Sequence, residues 1–192
     1  MIDLKPPYRI AIPEDAQELA ELVNFAGEGL PFFLWQDLAE PGMDPWEVGR
    51  RRQAEKAGEE QVVVVDFGAG AVAALTGYAI DQSPDPVPDD LPAIFRPLQE
   101  LENAAPGSWY VNVLACYPDH RGMGLGTGLL KLAEEIARAE GLSRMSIIVA
   151  GHNEGARRLY ERQGYEVEAS RPCSFDGWET KTREWVLLVK TL

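Results

Sequence analysis

One stretch constrains this chain more than any other: Leu114-Ala115-Cys116-Tyr117-Pro118-Asp119-His120-Arg121-Gly122-Met123-Gly124-Leu125-Gly126-Thr127-Gly128-Leu129-Leu130. An apolar run ends, four alternate glycines follow an arginine, and an amphipathic segment begins. Glycine fits where a Cβ would obstruct a tight turn or the close approach of a ligand. A turn of this kind aims consecutive backbone N–H groups inward, and the helix behind it adds partial positive charge. Such a nest suits an anion, above all a pyrophosphate, and Arg121 can reinforce it. Ordinary strand-to-helix turns use glycine too, but four alternate glycines beside an arginine exceed what a connection requires.

Two familiar phosphate-binding patterns fail on the letters. A Walker loop needs a Lys after its last glycine, and none occurs before Lys131, which argues against nucleoside triphosphate hydrolysis. A dinucleotide fingerprint started at Gly122 or Gly124 would put its third glycine on Thr127 or Leu129. What remains is R-x-x-G-x-G, from Arg121 to Gly126.

Around that turn the chain has the makings of one domain over residues 1–192, with 45% apolar residues to fill a core. No run approaches the ~20 apolar residues of a spanning helix, so a soluble protein is expected. The opening Met1-Ile2-Asp3-Leu4-Lys5-Pro6-Pro7 lacks the basic-then-apolar pattern of a secretory signal, which points to a cytoplasmic location. Cys116 and Cys173, neither in a C-x-x-C, offer no zinc site and no disulfide framework; two free thiols and no metal are expected. Lys plus Arg is 18 against 31 for Asp plus Glu, a net charge of -13, which disfavours nucleic acid and anionic membranes as partners. Residues 1–110 carry 20 acids and 7 bases, residues 111–192 carry 11 of each, so the whole surplus lies upstream. An acidic surface keeps a protein soluble; it also attracts cations.

Periodicity predicts a strand at residues 8–11, a helix opened by Pro13-Glu14-Asp15, and a second helical region over 34–57 broken at Pro41-Gly42. Strands over 61–66 and 72–80 flank Phe67-Gly68-Ala69-Gly70 as a hairpin. Six prolines between residues 83 and 106 leave room only for a short helix near 94–103, an ordered insertion. Strand and helix then alternate: strands at 109–116, 144–150, 165–170 and 184–190, helices at 126–140 and 153–163. Leu129, Leu132, Ala133, Ile136 and Ala137 make one apolar stripe of the longer helix. A mixed α/β sheet with helices on both faces is expected.

Downstream of the turn, Asn153-Glu154-Gly155-Ala156-Arg157-Arg158-Leu159-Tyr160-Glu161-Arg162-Gln163-Gly164-Tyr165 follows a strand at the right distance. Joined to R-x-x-G-x-G, this N-x-x-A-x-x-L-Y-x-x-x-G-Y resembles the GNAT superfamily of acyl-CoA-dependent N-acyltransferases, with clear motifs over about residues 109–168. The resemblance implies a mixed, mostly antiparallel sheet of about seven strands with a splayed central pair. It also implies transfer of the acetyl group of acetyl-CoA to a primary amine, by direct attack through a tetrahedral intermediate and without a metal.

Residue by residue, the resemblance gives Arg121, Gly122, Met123, Gly124, Leu125, Gly126 and Thr127 the CoA pyrophosphate. Leu114, Ala115 and Cys116 would offer main-chain groups to the pantetheine arm, including an N–H for the thioester carbonyl. Asn153 matches a cofactor-contacting asparagine, although helix capping also explains it. Tyr160 matches the tyrosine near the CoA sulfur; a phenol of pKa ~10 suits a departing thiolate, and a core tyrosine is the plainer alternative. Relatives often place a carboxylate on the glycine-turn strand, but the same-side positions here are Tyr110, Asn112 and Leu114. Asn112 can orient an amine or a water, and Glu102, ahead of Glu100, is the candidate for a base acting through a water, with a solvated helix acid as the plainer alternative. His120 and His152 read as surface residues near the cofactor. Phe32, Phe33, Trp35 and Trp46 offer an aromatic wall or simple core packing.

The charge asymmetry then suggests a cationic amine, small molecule or peptide, docking on the acidic part, with the 83–106 insertion near the acceptor. A non-catalytic CoA-binding or sensing module of the same fold is the alternative. Dimers are common in such a family, and the C-terminal strands with Trp178 and Trp185 offer a place for a homodimer, but nothing in the letters demands one.

Overall fold

The computed structural model describes residues 3–59 and 62–192. Met1 and Ile2, and the expected start of a strand at Gln61, lie outside the described residues. The elements in chain order are β1 (Tyr8–Ile10), α1 (Ala16–Ala26), α2 (Leu30–Leu38), α3 (Pro45–Lys56), β2 (Val62–Asp66), β3 (Ala71–Ala79) and α4 (Arg96–Asn103). They continue with β4 (Trp109–Cys116), α5 (Leu125–Ala139), β5 (Arg144–Ala150), α6 (Glu154–Arg162), β6 (Glu166–Pro172) and β7 (Glu184–Thr191). The strands form one seven-stranded sheet in the order β1-β2-β3-β4-β5-β7-β6. β4 and β5 pair in parallel, whereas β1–β2, β2–β3, β5–β7 and β6–β7 are antiparallel. The expected mixed, mostly antiparallel sheet is therefore present.

Contacts group the chain into two compact units. The first holds Met1–Gly77 and Val113–Leu130. Its core joins Leu19 and Leu22 of α1 to Ala11, Val62, Val64, Ala71, Ala74, Val113 and Ala115. Four consecutive valines make β2 buried throughout, as a strand covered on both faces must be. The hairpin turn is set by Asp66, whose carboxylate accepts the N–H groups of Gly68 (2.6 Å) and Gly70 (3.2 Å). α2 starts four residues ahead of expectation, because Gly29 adopts φ 88° and Pro31 fits a first helical turn. Phe32 and Trp35 of α2 meet Trp46 of α3 at 4.9 and 5.6 Å between ring centres, and the Trp35 ring lies over Gly49. These aromatics pack α2 on α3.

The second unit holds Tyr78–Asn112 and Lys131–Leu192. β5 pairs with β7 along its whole length, from Arg144↔Thr191 to Ala150↔Trp185, over a core with Trp109, Met145, Leu187 and Leu188. The proline-rich stretch contains one helix, α4, and is tied down by side-chain bonds to its own carbonyls. Arg96 donates to the carbonyls of Pro88 (2.9 Å) and Asp89 (3.1 Å), Asn103 donates to that of Asp85 (2.8 Å), and Leu101 of α4 is fully buried. Arg171 of β6 holds Glu100 of α4 at 2.8 Å. The parallel ladder of β4 and β5 covers Trp109–Val111 against Met145–Ile147 and stops there, although β4 runs on to Cys116.

Candidate functional site

In the first unit, the end of β4 leads into the glycine turn. Its alternation buries Val113 and Ala115 in the core and leaves Leu114 and Cys116 half-buried on the opposite side. Tyr117 then pins the chain. Its N–H reaches the Val72 carbonyl (3.0 Å), its hydroxyl donates to Glu21 (2.6 Å), and its ring meets Phe25 edge-on. A 3-10 turn, Pro118–His120, places Arg121, whose Nε donates to the Cys116 carbonyl at 3.4 Å while the side chain stays exposed. Burial raises the Cys116 thiol pKa against the opposing pull of Arg121, and both cysteines are free thiols.

The four glycines turn out to have different reasons. Gly122 and Gly124 sit at φ 78° and 81°, a conformation that disfavours every L side chain, and a Cβ on either would meet nothing within 4 Å. The turn is therefore open above its glycines. The first bond of α5 runs from the Gly128 N–H to the Gly124 carbonyl (3.0 Å), so the N–H groups of Leu125, Gly126 and Thr127 have no carbonyl one turn earlier to meet. Gly128 has no such part in the turn: a Cβ there would overlap the Tyr8 hydroxyl, so packing against β1 explains it. Gly128, which lies outside the expected phosphate-binding residues Arg121 to Thr127, thus continues the alternation for a separate reason. Met123 is exposed on the turn.

In the second unit, Asn153 caps α6, its Oδ1 accepting the Ala156 N–H at 3.1 Å. The expected capping role is realised. Tyr160 is 5% exposed, and its ring lies 6.1 Å from that of Tyr165, the buried aromatic opening β6. Of the same-side residues of β4, Tyr110 is buried and Asn112 exposed. Glu102 is half-buried at the end of α4 and accepts a 2.8 Å hydrogen bond from the Tyr78 hydroxyl. The Tyr78 ring meets Tyr110 edge-on at 5.3 Å, and Tyr110 interacts electrostatically with Glu102 and Tyr160 as well. Burial, with the nearby Glu102 charge, pushes the Tyr110 phenol well up; burial also raises the Glu102 carboxyl, against the Tyr78 hydrogen bond that lowers it. Tyr78, Glu102 and Tyr110 thus form one cluster.

Two sequence expectations change here. His120 is not a plain surface residue: it is half-buried, with Nδ1 enclosed and without a hydrogen-bond partner, whereas His152 is exposed as expected. Tyr78, unremarked in the sequence, belongs to the cluster; it is 24 positions from Glu102, and nothing local signals the pairing. Among the described residues no group of His, Cys, Asp and Glu is arranged to hold a metal, and no helix is long and apolar enough to cross a membrane.

The sequence model of the Acetyltransferase (GNAT) family matches residues 31–165. The chain belongs to that family. Over 66 residues it is 39% identical to a mycothiol acetyltransferase from Beutenbergia cavernae, an alignment covering 34% of this chain; the chain spans about a fifth, 22%, of that relative's length. Among solved structures it is similar to an acetyltransferase at TM-score 0.63, with 19% identity over 96% of this chain and 98% of the other. It is also similar to a GNAT acetyltransferase from Elizabethkingia anophelis with acetyl-CoA bound, at TM-score 0.56 and 16% identity over 98% and 100% of the two chains. These likenesses establish the fold. The GNAT glycine turn lies wholly inside the matched region, as does the helix carrying Asn153 and Tyr160.

Proposed function

We propose that this GNAT chain, acting over residues 1–192 as one catalytic domain, transfers the acetyl group of acetyl-CoA to a cationic primary amine. The observation that carries the reading is the glycine turn: Gly122 and Gly124 in left-handed conformation with open space above them, at the head of a 15-residue helix whose first N–H groups point out of its end. A pyrophosphate fits that cradle. Gly122, Met123, Gly124, Leu125, Gly126 and Thr127 would receive it through backbone N–H groups, and Arg121 adds charge. The main-chain groups of Leu114, Ala115 and Cys116 suit a pantetheine arm laid alongside as an added strand.

The amine loses a proton through water to Glu102 while its nitrogen bonds to the thioester carbonyl. Asn112 orients the amine or the water. A backbone N–H near Ala115 stabilises the oxyanion as the tetrahedral intermediate forms. When it collapses, the C–S bond breaks, and the departing thiolate takes its proton from Tyr160. The Tyr160 phenolate takes back the second proton that the nitrogen gives up as the amide forms, so the products are an amide, free CoA and the one remaining proton on Glu102. Asn153, which caps α6 through Oδ1, is assigned to the cofactor by its place in the motif.

The class of amine follows from charge. Residues 78–112 contain six acids and one base, Arg96, and that base is engaged by backbone carbonyls of its own loop. Even with Glu100 paired to Arg171, this stretch keeps a surplus of negative charge, suited to an ammonium.

Calorimetric titration with acetyl-CoA and CoA, followed by thiol release across a panel of amines with Tyr160→Phe as control, tests the reading. Binding with amine-dependent release that drops in the variant supports transfer. Binding without release from any amine would leave a CoA-sensing module as the better account, and no binding would remove the cofactor assignment altogether.

A further inference from the structure

The two carboxylates on the inner turns of α4 are treated differently. Glu100 is met by a cation, Arg171, at 2.8 Å. Glu102, two residues on and half-buried, has no ion-pair partner among the described residues; its Oε2 is held only by the Tyr78 hydroxyl. Carboxylates drawn out of water ordinarily acquire a cation, because an unneutralised charge there is costly. Here a neutral phenol fixes the orientation and leaves the charge in place. The ring of that phenol is itself set edge-on against Tyr110, which is buried, so one side of the donor's ring rests on the core.

We infer that Tyr78 is a positioning residue, clamping Oε2 of Glu102 so that Oε1 is presented to the water that relays the acceptor's proton. The inference rests on the proposed acetyl transfer and names the device that holds its base. A clamp of this kind does two things. It removes the rotational freedom of a carboxylate that would otherwise swing between solvent and site. It also favours the ionised form, working against burial, which raises the Glu102 carboxyl. The titratable groups facing Glu102 are Tyr78 from β3 and, through charge, Tyr110 from β4, which Tyr160 of α6 also influences. From β6, Arg171 is directed to Glu100.

Tyr78→Phe tests this with little disturbance, since it keeps the ring against Tyr110 and removes one oxygen from a partly exposed side chain. The full chain is labelled with glutamate carrying 13C at the carboxyl, and the Glu102 resonance is identified by its loss in Glu102→Gln. In Tyr78→Phe the Glu102 midpoint is expected to rise by about one pH unit, because a hydrogen bond to the charged form has gone. A midpoint unchanged by the substitution overturns the clamp. The second readout is thiol release from acetyl-CoA with 1,4-diaminobutane as probe. The acid limb of kcat/KM should move upward with the NMR midpoint in Tyr78→Phe, with KM for acetyl-CoA unchanged, and Glu102→Gln should lose about a hundredfold or more. An acid limb that stays put while the NMR midpoint moves also overturns the role. A wild-type chain that binds acetyl-CoA yet acetylates no amine in a panel including this probe instead defeats the reading of function, and this role falls with it, whatever the NMR shows.

Discussion

Gly128 on α5 and Tyr8 on β1 are in contact, and the Tyr8 hydroxyl occupies the place where a Cβ on Gly128 would stand. The ring carbon bearing that hydroxyl would be 3.2 Å from the same Cβ, so the clash is relieved only if the tip of the tyrosine goes or its ring moves. Alanine in place of a helical glycine ordinarily gains about 1 kcal/mol. Overpacking of a close contact costs about 1–3 kcal/mol, so Gly128→Ala is expected to destabilise by about 1 kcal/mol net. Adding Tyr8→Phe should restore most of that loss. Urea denaturation of the single and double variants checks both; a double variant as unstable as the single would mean that the tyrosine oxygen is not the obstacle.

Gly124 presents the opposite case. Its φ is 81° and nothing lies within 4 Å of a built Cβ, so only the backbone resists a side chain. Left-handed geometry costs an L residue about 1–2 kcal/mol, less for asparagine, which bonds locally to its own backbone. Gly124→Ala should therefore destabilise by about that amount and Gly124→Asn by less. Both should weaken acetyl-CoA binding, since a side chain would project into the open space above the turn. Thermal melts give the first quantity and calorimetry the second. Equal melting temperatures for Ala and Asn would remove the conformational account.

The contrast between these glycines shows how far the letters reach. Gly122 and Gly124 were readable because a tight turn before a helix is a local device, decided within a few residues. Gly128 lies on the same alternation but answers to Tyr8, 120 positions away, and no spacing rule carries that information. The cluster around Glu102 follows the same logic. Glu102 was reachable as the acid nearest the glycine-turn strand, whereas its partner Tyr78 depends on where β3 ends relative to α4, across a proline-rich stretch with no periodicity to count. The strand-and-helix order after residue 109 was legible for the converse reason: the two helices there carry their own amphipathic stripes and are closed by Gly141 and Gly164.

Arg121 is exposed, and its Nε bond to the Cys116 carbonyl is long at 3.4 Å. Its charge is therefore available to a ligand at small structural cost. Arg121→Ala should lower affinity for CoA by about tenfold, the size expected for one charge-assisted hydrogen bond, while leaving the urea midpoint nearly unchanged. Arg121→Lys should recover part of the loss, keeping the charge but not the planar fork. Raising salt should narrow the gap between wild type and Arg121→Ala, because exposed charges are screened. A salt-independent difference in affinity would point to shape rather than charge.

Arg9 joins two carboxylates, reaching Asp15 through Nη1 (2.6 Å) and Nη2 (2.7 Å) and Asp66 through Nε (3.0 Å) and Nη2 (2.7 Å). Burial would raise the Asp15 pKa, but the bonds from Arg9 and the Ile12 N–H outweigh it and hold the carboxyl below its usual range. Asp66 is lowered as well, by Arg9 and then by the N–H groups of Gly68 and Gly70. Groups with depressed folded pKa values bind more protons when unfolded. Their contribution is complete above the unfolded carboxylate pKa of ~4 and is lost as pH falls through the folded values. The Arg9 guanidinium is pushed further up, held chiefly by Asp15, and titrates beyond the range where the fold is tested. Stability from this network should be flat from neutral pH to about pH 5 and fall at lower pH. Asp15→Asn keeps an acceptor for the Ile12 N–H but removes the charge, and should cost about 2 kcal/mol at pH 7. It should cost progressively less as the medium is acidified, because the wild type then loses the same interaction. Urea midpoints of both proteins from pH 7 to pH 3 measure the gap; a gap that stays constant across that range would show that the carboxylate's charge is not what holds β1, β2 and the start of α1 together.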